Sequence, residues 1–140
     1  LPILERAQLS EWLRGMLHIH QVFAVPADRP AVDHAAMLAD ANTRLMPGTL
    51  TAAALDALSH AAGMVVEMTL PYGAMKLTRR ARFSEEECRI VPLLKAGPSV
   101  GALRELLASE GVDRIRADAA IAGVYRIFSQ LGGVHLWSRR

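Results

Sequence analysis

The spacing of apolar residues changes in the middle of this chain, and that change restricts its possible folds more than any other feature. Before residue 64 and after residue 83, apolar residues recur every three or four positions, as in amphipathic helices. Between these limits they recur every second position, as in half-buried strands. The sequence therefore predicts a mainly α protein with a helical N-terminal part, a β-hairpin and a C-terminal three-helix unit.

The N-terminal part begins with a predicted helix over residues 3–23, with Pro2 suited to its first turn. This helix has an unusually broad apolar face. The face contains Leu9, Trp12, Leu13, Met16, Leu17 and Phe23. Such a face needs more than one neighbour to cover it. We therefore predict that these residues form an interface and that the protein is a homo-oligomer.

Two further helices are predicted before the hairpin. Asp28 is a suitable N-cap for a helix that runs to about Leu45 and ends before Pro47. Thr49 or Thr51 is a suitable cap for the next helix, which Gly63 is placed to end. Residues 1–63 are accordingly interpreted as a helical association region.

Residues 64–83 are predicted to form the hairpin. The turn is expected at Pro71-Tyr72-Gly73-Ala74, a run of turn-forming residues between the two alternating segments. In the second strand Lys76, Thr78, Arg80 and Arg82 alternate with apolar residues. The hairpin is therefore expected to carry basic side chains on one face.

Helix-start and helix-stop signals are clearest after residue 84. Ser84 and Glu87 form a capping-box pattern that predicts a helix over residues 85–95, closed at Gly97. Pro98-Ser99 is expected to open a second helix, which ends at Gly111, and Asp113 to cap a long third helix. That helix ends at Gly132-Gly133, before a short strand at 134–137. The predicted core residues are Leu103, Leu106, Ile121, Val124 and Phe128.

This order of elements over residues 83–137 resembles the winged-helix and helix-turn-helix superfamily. The resemblance rests on Pro98-Ser99-Val100-Gly101-Ala102-Leu103, which leads the middle helix, and on Gln130-Leu131-Gly132-Gly133-Val134 after the third. It implies a winged-helix-like unit over 84–140. In members that bind DNA the third helix lies in the major groove, whereas other members bind only proteins.

Length and cysteine content limit the domain number and the compartment. A chain of 140 residues has the usual size of one compact domain. Its one cysteine, Cys88, cannot form an internal disulfide, which favours a reducing, cytoplasmic location. No apolar run approaches the roughly 20 residues that a membrane helix requires, so no membrane partner is expected.

The uneven distribution of charge suggests two functional hypotheses. Residues 1–75 carry a net charge of −3 and residues 76–140 a net charge of +5. The candidate nucleic-acid contacts are Arg79, Arg80, Arg82, Arg114, Arg116, Arg126 and Gln130. The centre of the third helix, residues 119–124, lacks the polar side chains that read bases. We therefore favour a non-catalytic regulator or adaptor that acts through protein–protein interaction and self-association, with a DNA-binding transcriptional regulator as the alternative.

These two hypotheses predict different surfaces. A protein that binds duplex DNA should gather its arginines on one continuous face beside an exposed third helix. An adaptor should bury that helix or expose an apolar patch on it.

No motif for catalysis, a cofactor or a metal is present in the sequence. It has no Gly-x-Ser-x-Gly elbow and no phosphate-binding glycine loop with its lysine. His18 and His20 point about 200° apart on a helix and cannot readily share a metal. A core site formed by His20, His34 and His60 is conceivable, but ordinary hydrogen-bonded histidines are the favoured interpretation. Neighbouring glutamates make Cys88 a structural residue rather than a nucleophile. We therefore predict no enzyme, cofactor or metal site.

Sedimentation tests self-association through residues 3–23. The chain is expected to sediment as an oligomer at high micromolar concentration, because one small core cannot cover the whole apolar face of this helix. A strict monomer at that concentration would contradict the prediction.

Overall fold

The computed structural model describes residues 32–72 and 75–138. Contacts divide the chain between residues 32 and 33, and the unit described here is Asp33–Arg140. The predicted helix over 3–23 and its interface residues lie outside the described residues. In chain order the elements are α1 (His34–Ala39), β1 (Arg44–Pro47), α2 (Ala52–Leu58), β2 (Val65–Tyr72), β3 (Met75–Arg82), α3 (Glu85–Ile90), a 3-10 helix (Val91–Ala96), α4 (Val100–Ser109), α5 (Arg114–Ser129) and β4 (Val134–Trp137).

The described part of the chain is mainly helical, and each of its five α-helices begins at a side-chain cap. The capping residues are Asp33, Thr51, Ser84, Ser99 and Asp113. The predicted capping box is confirmed, since Ser84 and Glu87 exchange hydrogen bonds of 3.2 and 2.8 Å. None of the described helices is both long enough and apolar enough to cross a bilayer.

The predicted helix from Asp28 to about Leu45 is wrong over its second half. Helix α1 ends at Ala39, and residues 44–47 form strand β1 instead. The Asp40 carboxylate accepts a hydrogen bond of 2.9 Å from the backbone amide of Asn42, which bends the chain away from the helix. Leu45, which has helical spacing in the sequence, is completely buried in the strand. Tertiary pairing has outweighed local propensity here.

Strand β1 is paired on both of its sides. On one side it runs antiparallel to β4, with Leu45 opposite Leu136 and Arg44 opposite Trp137. On the other side the backbone amide of Leu45 donates to the Pro98 carbonyl at 2.9 Å, and Arg44 forms a bridge with Ser99. The segment that the sequence assigned to the N-terminal helical region therefore lies inside the C-terminal unit.

The hairpin prediction is confirmed by the antiparallel pairing of β2 with β3. Glu67 lies opposite Arg80, and Met68 lies opposite Arg79. Because side chains alternate between faces, Arg80 and Arg82 share one face and Arg79 lies on the other. The expected basic face therefore holds two of the three arginines of this strand.

The core forms where the helices of the C-terminal unit meet the base of the hairpin. Phe83, at the end of β3, stacks on Phe128 of α5 with ring centroids 5.8 Å apart. Four of the predicted core residues are buried, namely Leu103, Ile121, Val124 and Phe128. The fifth, Leu106, is only partly buried.

Replacing Phe128 by alanine tests this packing. Phe128 is completely buried, so the change leaves a cavity and should lower the free energy of unfolding by roughly 3–5 kcal/mol. Urea denaturation measures the loss. Ile115→Ala is the matched control, since its side chain is 82% exposed and the change should cost less than about 0.5 kcal/mol. Equal losses of unfolding free energy in the two variants would contradict the burial of residue 128 and the exposure of residue 115 on α5.

Candidate functional site

Helix α5 is buried on one side and exposed on the other. Ile115, Ala119, Ala122 and Arg126 are all exposed, with Ile115 at 82%. Their spacings of four, three and four residues align them along one line of the helix. We call these four residues the α5 stripe. Three of them are apolar, so this line of the helix presents one large and two small apolar side chains. Arg126 ends the line, and the exposed Arg114 and Arg116 lie on either side of Ile115.

One flank of the α5 stripe is held by a buried arginine. Arg104 of α4 has only 10% of its side chain exposed and donates from Nε to Asp118 of α5 at 2.6 Å. Its two terminal nitrogens donate to the carbonyl oxygens of Ala39 and Leu38, at 3.1 and 3.0 Å. These carbonyls lie at the end of α1, where helix geometry leaves them without partners in the helix. Arg104 therefore ties α1, α4 and α5 together.

Asp118 accepts from two arginines at once. Its second oxygen accepts from Nε of Arg114 at 2.8 Å, while the first accepts from Arg104. Burial alone would raise the pKa of this carboxyl, but the hydrogen bonds and charges of Arg114 and Arg104 outweigh that effect and hold its pKa below the ordinary value of 3.8. Asp118 is thus ionised in the folded protein at neutral pH and neutralises part of the charge of Arg114.

An aromatic contact adds to the same flank. The hydroxyl of Tyr125 lies 3.3 Å from Nδ1 of His34 on α1, and the two rings meet edge to face at 5.6 Å. Helix α1 has no buried residue of its own. Its position beside α5 therefore depends on these polar contacts together with the packing of the partly buried Leu38 against the core.

The opposite flank of the α5 stripe is held by α3. Arg116 forms an ion pair with Glu86, whose side chain is 12% exposed. Hydrogen bonds from the backbone amide of Glu86 and from Ser84 lower the pKa of the Glu86 carboxyl, and Arg116 lowers it further against the effect of burial. The positive charge of the largely exposed Arg116 therefore already has a carboxylate partner in the same chain.

Gly123 lets α3 approach α5 closely on this flank. A Cβ at residue 123 would lie 2.0 Å from Oε1 of Glu87, whose other oxygen is fixed by the capping box. A side chain at this position would force the Glu87 carboxylate to move and would disturb its hydrogen bond in the capping box. The α5 stripe thus lies between two flanks that are each fixed by charged groups.

The predicted nucleic-acid contacts differ in their ion-pair partners and in their exposure. Arg80 pairs with Glu67 at 2.8 Å, and Arg114 and Arg116 pair with Asp118 and Glu86. Arg82 lines an open depression together with Glu85 and Glu87, so acidic side chains adjoin both groups of arginines. Arg79 is half-buried, whereas Arg126 and Gln130 are exposed at the end of α5.

The histidines considered for metal binding, and Cys88, have ordinary structural surroundings where the structure describes them. His34 contacts Tyr125, His60 is exposed after α2, and His20 lies outside the described residues. Within residues 32–72 and 75–138, no group of three potential metal-binding side chains occurs. Cys88 is buried, its sulfur donates to the Leu58 carbonyl at 3.4 Å, and burial followed by the charge of Glu87 raises the pKa of the thiol.

Arg104 is the residue of this site that the sequence analysis missed. It stands four residues after Val100 and three before Leu107, both of which are buried on α4. That spacing places residue 104 on the buried face of the helix. A charged residue in such a position requires a partner, and this signal was present in the sequence.

Comparisons of the chain with models of protein families, with curated proteins and with solved structures find no match.

The pH dependence of stability tests the contacts of Asp118. Because its pKa is lowered on folding, the ionised carboxyl stabilises the fold above the ordinary value of 3.8, and this contribution is lost as pH falls through the lowered pKa. Asp118→Asn removes the contribution. The stability difference between wild type and this variant should be largest near neutral pH and shrink in acid.

Urea denaturation across this pH range measures that difference. Asp56→Asn is the matched control, because Asp56 is exposed on α2. A difference that stays constant from neutral pH into acid would show that the Asp118 carboxylate does not contribute through its charge.

Proposed function

We propose that this chain is a non-catalytic regulator or adaptor that self-associates and presents the α5 stripe to a partner protein. The observation that carries the proposal is the exposure of Ile115. At 82% it is the most exposed large apolar side chain among the described residues. Ile115 lies at the N-terminal end of the α5 stripe, in line with the exposed Ala119 and Ala122, so the three form a continuous apolar surface that a partner protein can cover.

The chemistry of the α5 stripe fits an apolar protein surface. Burying the Ile115 side chain contributes about 1.5–3 kcal/mol to binding. Ala119 and Ala122 carry only a methyl group each, so a partner helix or loop can approach the α5 backbone closely. Arg126 ends the stripe with an exposed charge, which is typical of the polar rim of an interface.

The charges that flank the α5 stripe favour a protein partner over duplex DNA. Arg114 and Arg116 already have carboxylate partners in Asp118 and Glu86. Contact with phosphate requires these pairs to break, and it leaves Asp118, whose side chain is 41% exposed, close to a like charge. Hence binding to DNA gains less from these arginines than their number suggests.

We also propose that residues 84–138 have a winged-helix-like arrangement. In its support, α3 with the 3-10 helix, α4 and α5 follow one another and are succeeded by β4. The strand that completes the small sheet is β1, which pairs with β4 and forms a bridge with Ser99. In this proposal β1 supplies, from the N-terminal side, a strand that the unit requires. Self-association is assigned to residues 3–23 on the sequence pattern alone.

Site-specific photo-crosslinking tests the α5 stripe. A photoreactive amino acid replaces Ala122 in cells that naturally produce the protein, and mass spectrometry identifies the adducts. We expect a discrete adduct with another protein that falls about tenfold or more when Ile115→Asp is added, because burial of the isoleucine is lost. The matched control places the same probe at Ala108, which is exposed on α4.

Two results would contradict the proposal. One is the same set of adducts from both probe positions, since that indicates random collision. The other is tight binding of duplex DNA by the purified protein at low salt, with a log–log salt slope that falls by roughly 2–3 units when Arg79, Arg80 and Arg82 are replaced together by alanine. That result would favour the DNA-binding alternative.

A further inference from the structure

We infer that the outer edge of β3 is a second docking site, which accepts an acidic, extended peptide segment of a partner by strand addition. This goes beyond the proposed role of the α5 stripe, because it involves a different surface and states the chemistry of what binds there. The inference rests on an unpaired strand edge and on the positions of the charges along that strand.

The edge is a consequence of sheet topology. Strands β2 and β3 form a two-stranded sheet, so β3 is paired only on its β2 side among the described residues. Every second residue of β3 therefore directs its backbone N–H and C=O groups away from β2. Such a row of unpaired groups is a template for an added strand.

The charges of β3 determine what kind of segment fits. The strand contains Lys76, Arg79, Arg80 and Arg82 and no acidic residue, and Glu67 is the one acid between residues 64 and 83. Glu67 forms an ion pair with Arg80. Residues 64–83 therefore retain an excess of positive charge, which attracts a segment rich in carboxylates, although Glu85 and Glu87 adjoin the strand at Arg82.

The arginines lie on both faces of the strand. Arg80 and Arg82 share the face that carries Glu67, whereas Arg79 is half-buried on the face of Met68, which packs against the core. The Nε atom of Arg79 is buried and has no hydrogen-bond acceptor among the described residues. Arg79 therefore contributes a positive charge on the second face that no carboxylate of the described chain balances.

This two-faced arrangement favours a peptide over a duplex. A strand added to β3 projects its own side chains alternately to both faces, so its carboxylates can meet Arg79 on one face and Arg82 on the other. The phosphates of a duplex approach from one side only and leave the charge on the other face unmatched. Charged side chains also protect strand edges against aggregation, and a binding experiment distinguishes that role from docking.

The experiment titrates the full-length protein with a fluorescent peptide of Glu-Glu-Thr repeats, which places carboxylates on both faces of an added strand. Saturable binding is expected. Arg82→Glu should weaken it about tenfold, since an attractive cross-strand pair becomes repulsive. The matched control is Lys95→Glu, which changes the net charge equally at an exposed position outside the hairpin and should bind as wild type.

Backbone methylation of the peptide separates strand addition from charge attraction. Peptides methylated at alternate amide nitrogens, in both registers, keep every carboxylate but lose the N–H donors along one edge. One register should bind about tenfold more weakly or worse, because two or more backbone hydrogen bonds are lost. On binding of the unmodified peptide, hydrogen exchange should slow in β3 and stay unchanged in β2.

Three outcomes would overturn the inference. The first is no binding of the acidic peptide, and the second is equal binding of both methylated peptides. The third is displacement of the peptide by duplex DNA when the concentration of DNA phosphates equals that of peptide carboxylates. Peptide binding at the edge of β3 does not involve the α5 stripe. Ile115→Asp should leave peptide binding unchanged, so failure at this edge and failure of the proposed function are seen separately.

Discussion

The pairing of β1 on both of its sides is the constraint on which the rest of this structure depends. Leu45 is buried between the Pro98 segment and β4, and its backbone amide donates to Pro98. Val100 and Gly101, the first residues of α4, donate in turn to the carbonyls of Thr43 and Ala41 at 2.8 and 2.9 Å. The start of α4 and the position of β4 are thus both set by this one strand. Without it, β4 has no partner in its sheet.

The same strand sets the arrangement of the exposed surface. Because β1 follows α1 after a short turn, its insertion brings the end of α1 to Arg104, and Arg104 in turn holds Asp118 of α5. On the other flank the capping box of α3 places Glu86 and Glu87 against α5. The charged residues on the two flanks of α5 therefore fix helices, and the side chains left exposed between the flanks are apolar except for Arg126. The packing of the helices around α5 and the chemistry of the surface between them therefore both depend on the insertion of β1.

Sequence signals that act within a few residues were sufficient to predict much of this fold. Pairing between distant parts of the chain could not be predicted from them. The capping box at Ser84, the left-handed Gly97 with φ 60° and the alternation in the hairpin each act within a few residues, so the sequence predicts them directly. Strand β1 was missed because Leu45 has helical spacing and its partners lie far along the chain. Of the candidate site, the apolar character of residues 119–124 was predictable from the sequence, but not that Ala119 and Ala122 are exposed while the other four residues are buried. Arg104 was missed because its partners come from two other elements, which sequence spacing does not bring together.

The distance along the chain between β1 and β4 has a consequence for how the protein is made. Arg44 pairs with Trp137, so the small sheet closes a loop that contains most of the described chain. On a ribosome, β1 leaves the exit tunnel long before β4 is synthesised, and Leu45 stays uncovered during that time. Contacts this distant in sequence form late, because loop-closure entropy is lost before any contact repays it. The hairpin and the capped helices use local contacts, so we expect them to form before the β1–β4 sheet closes. We therefore expect Leu45 to stay accessible to chaperones that bind exposed aliphatic side chains until the β1–β4 sheet closes.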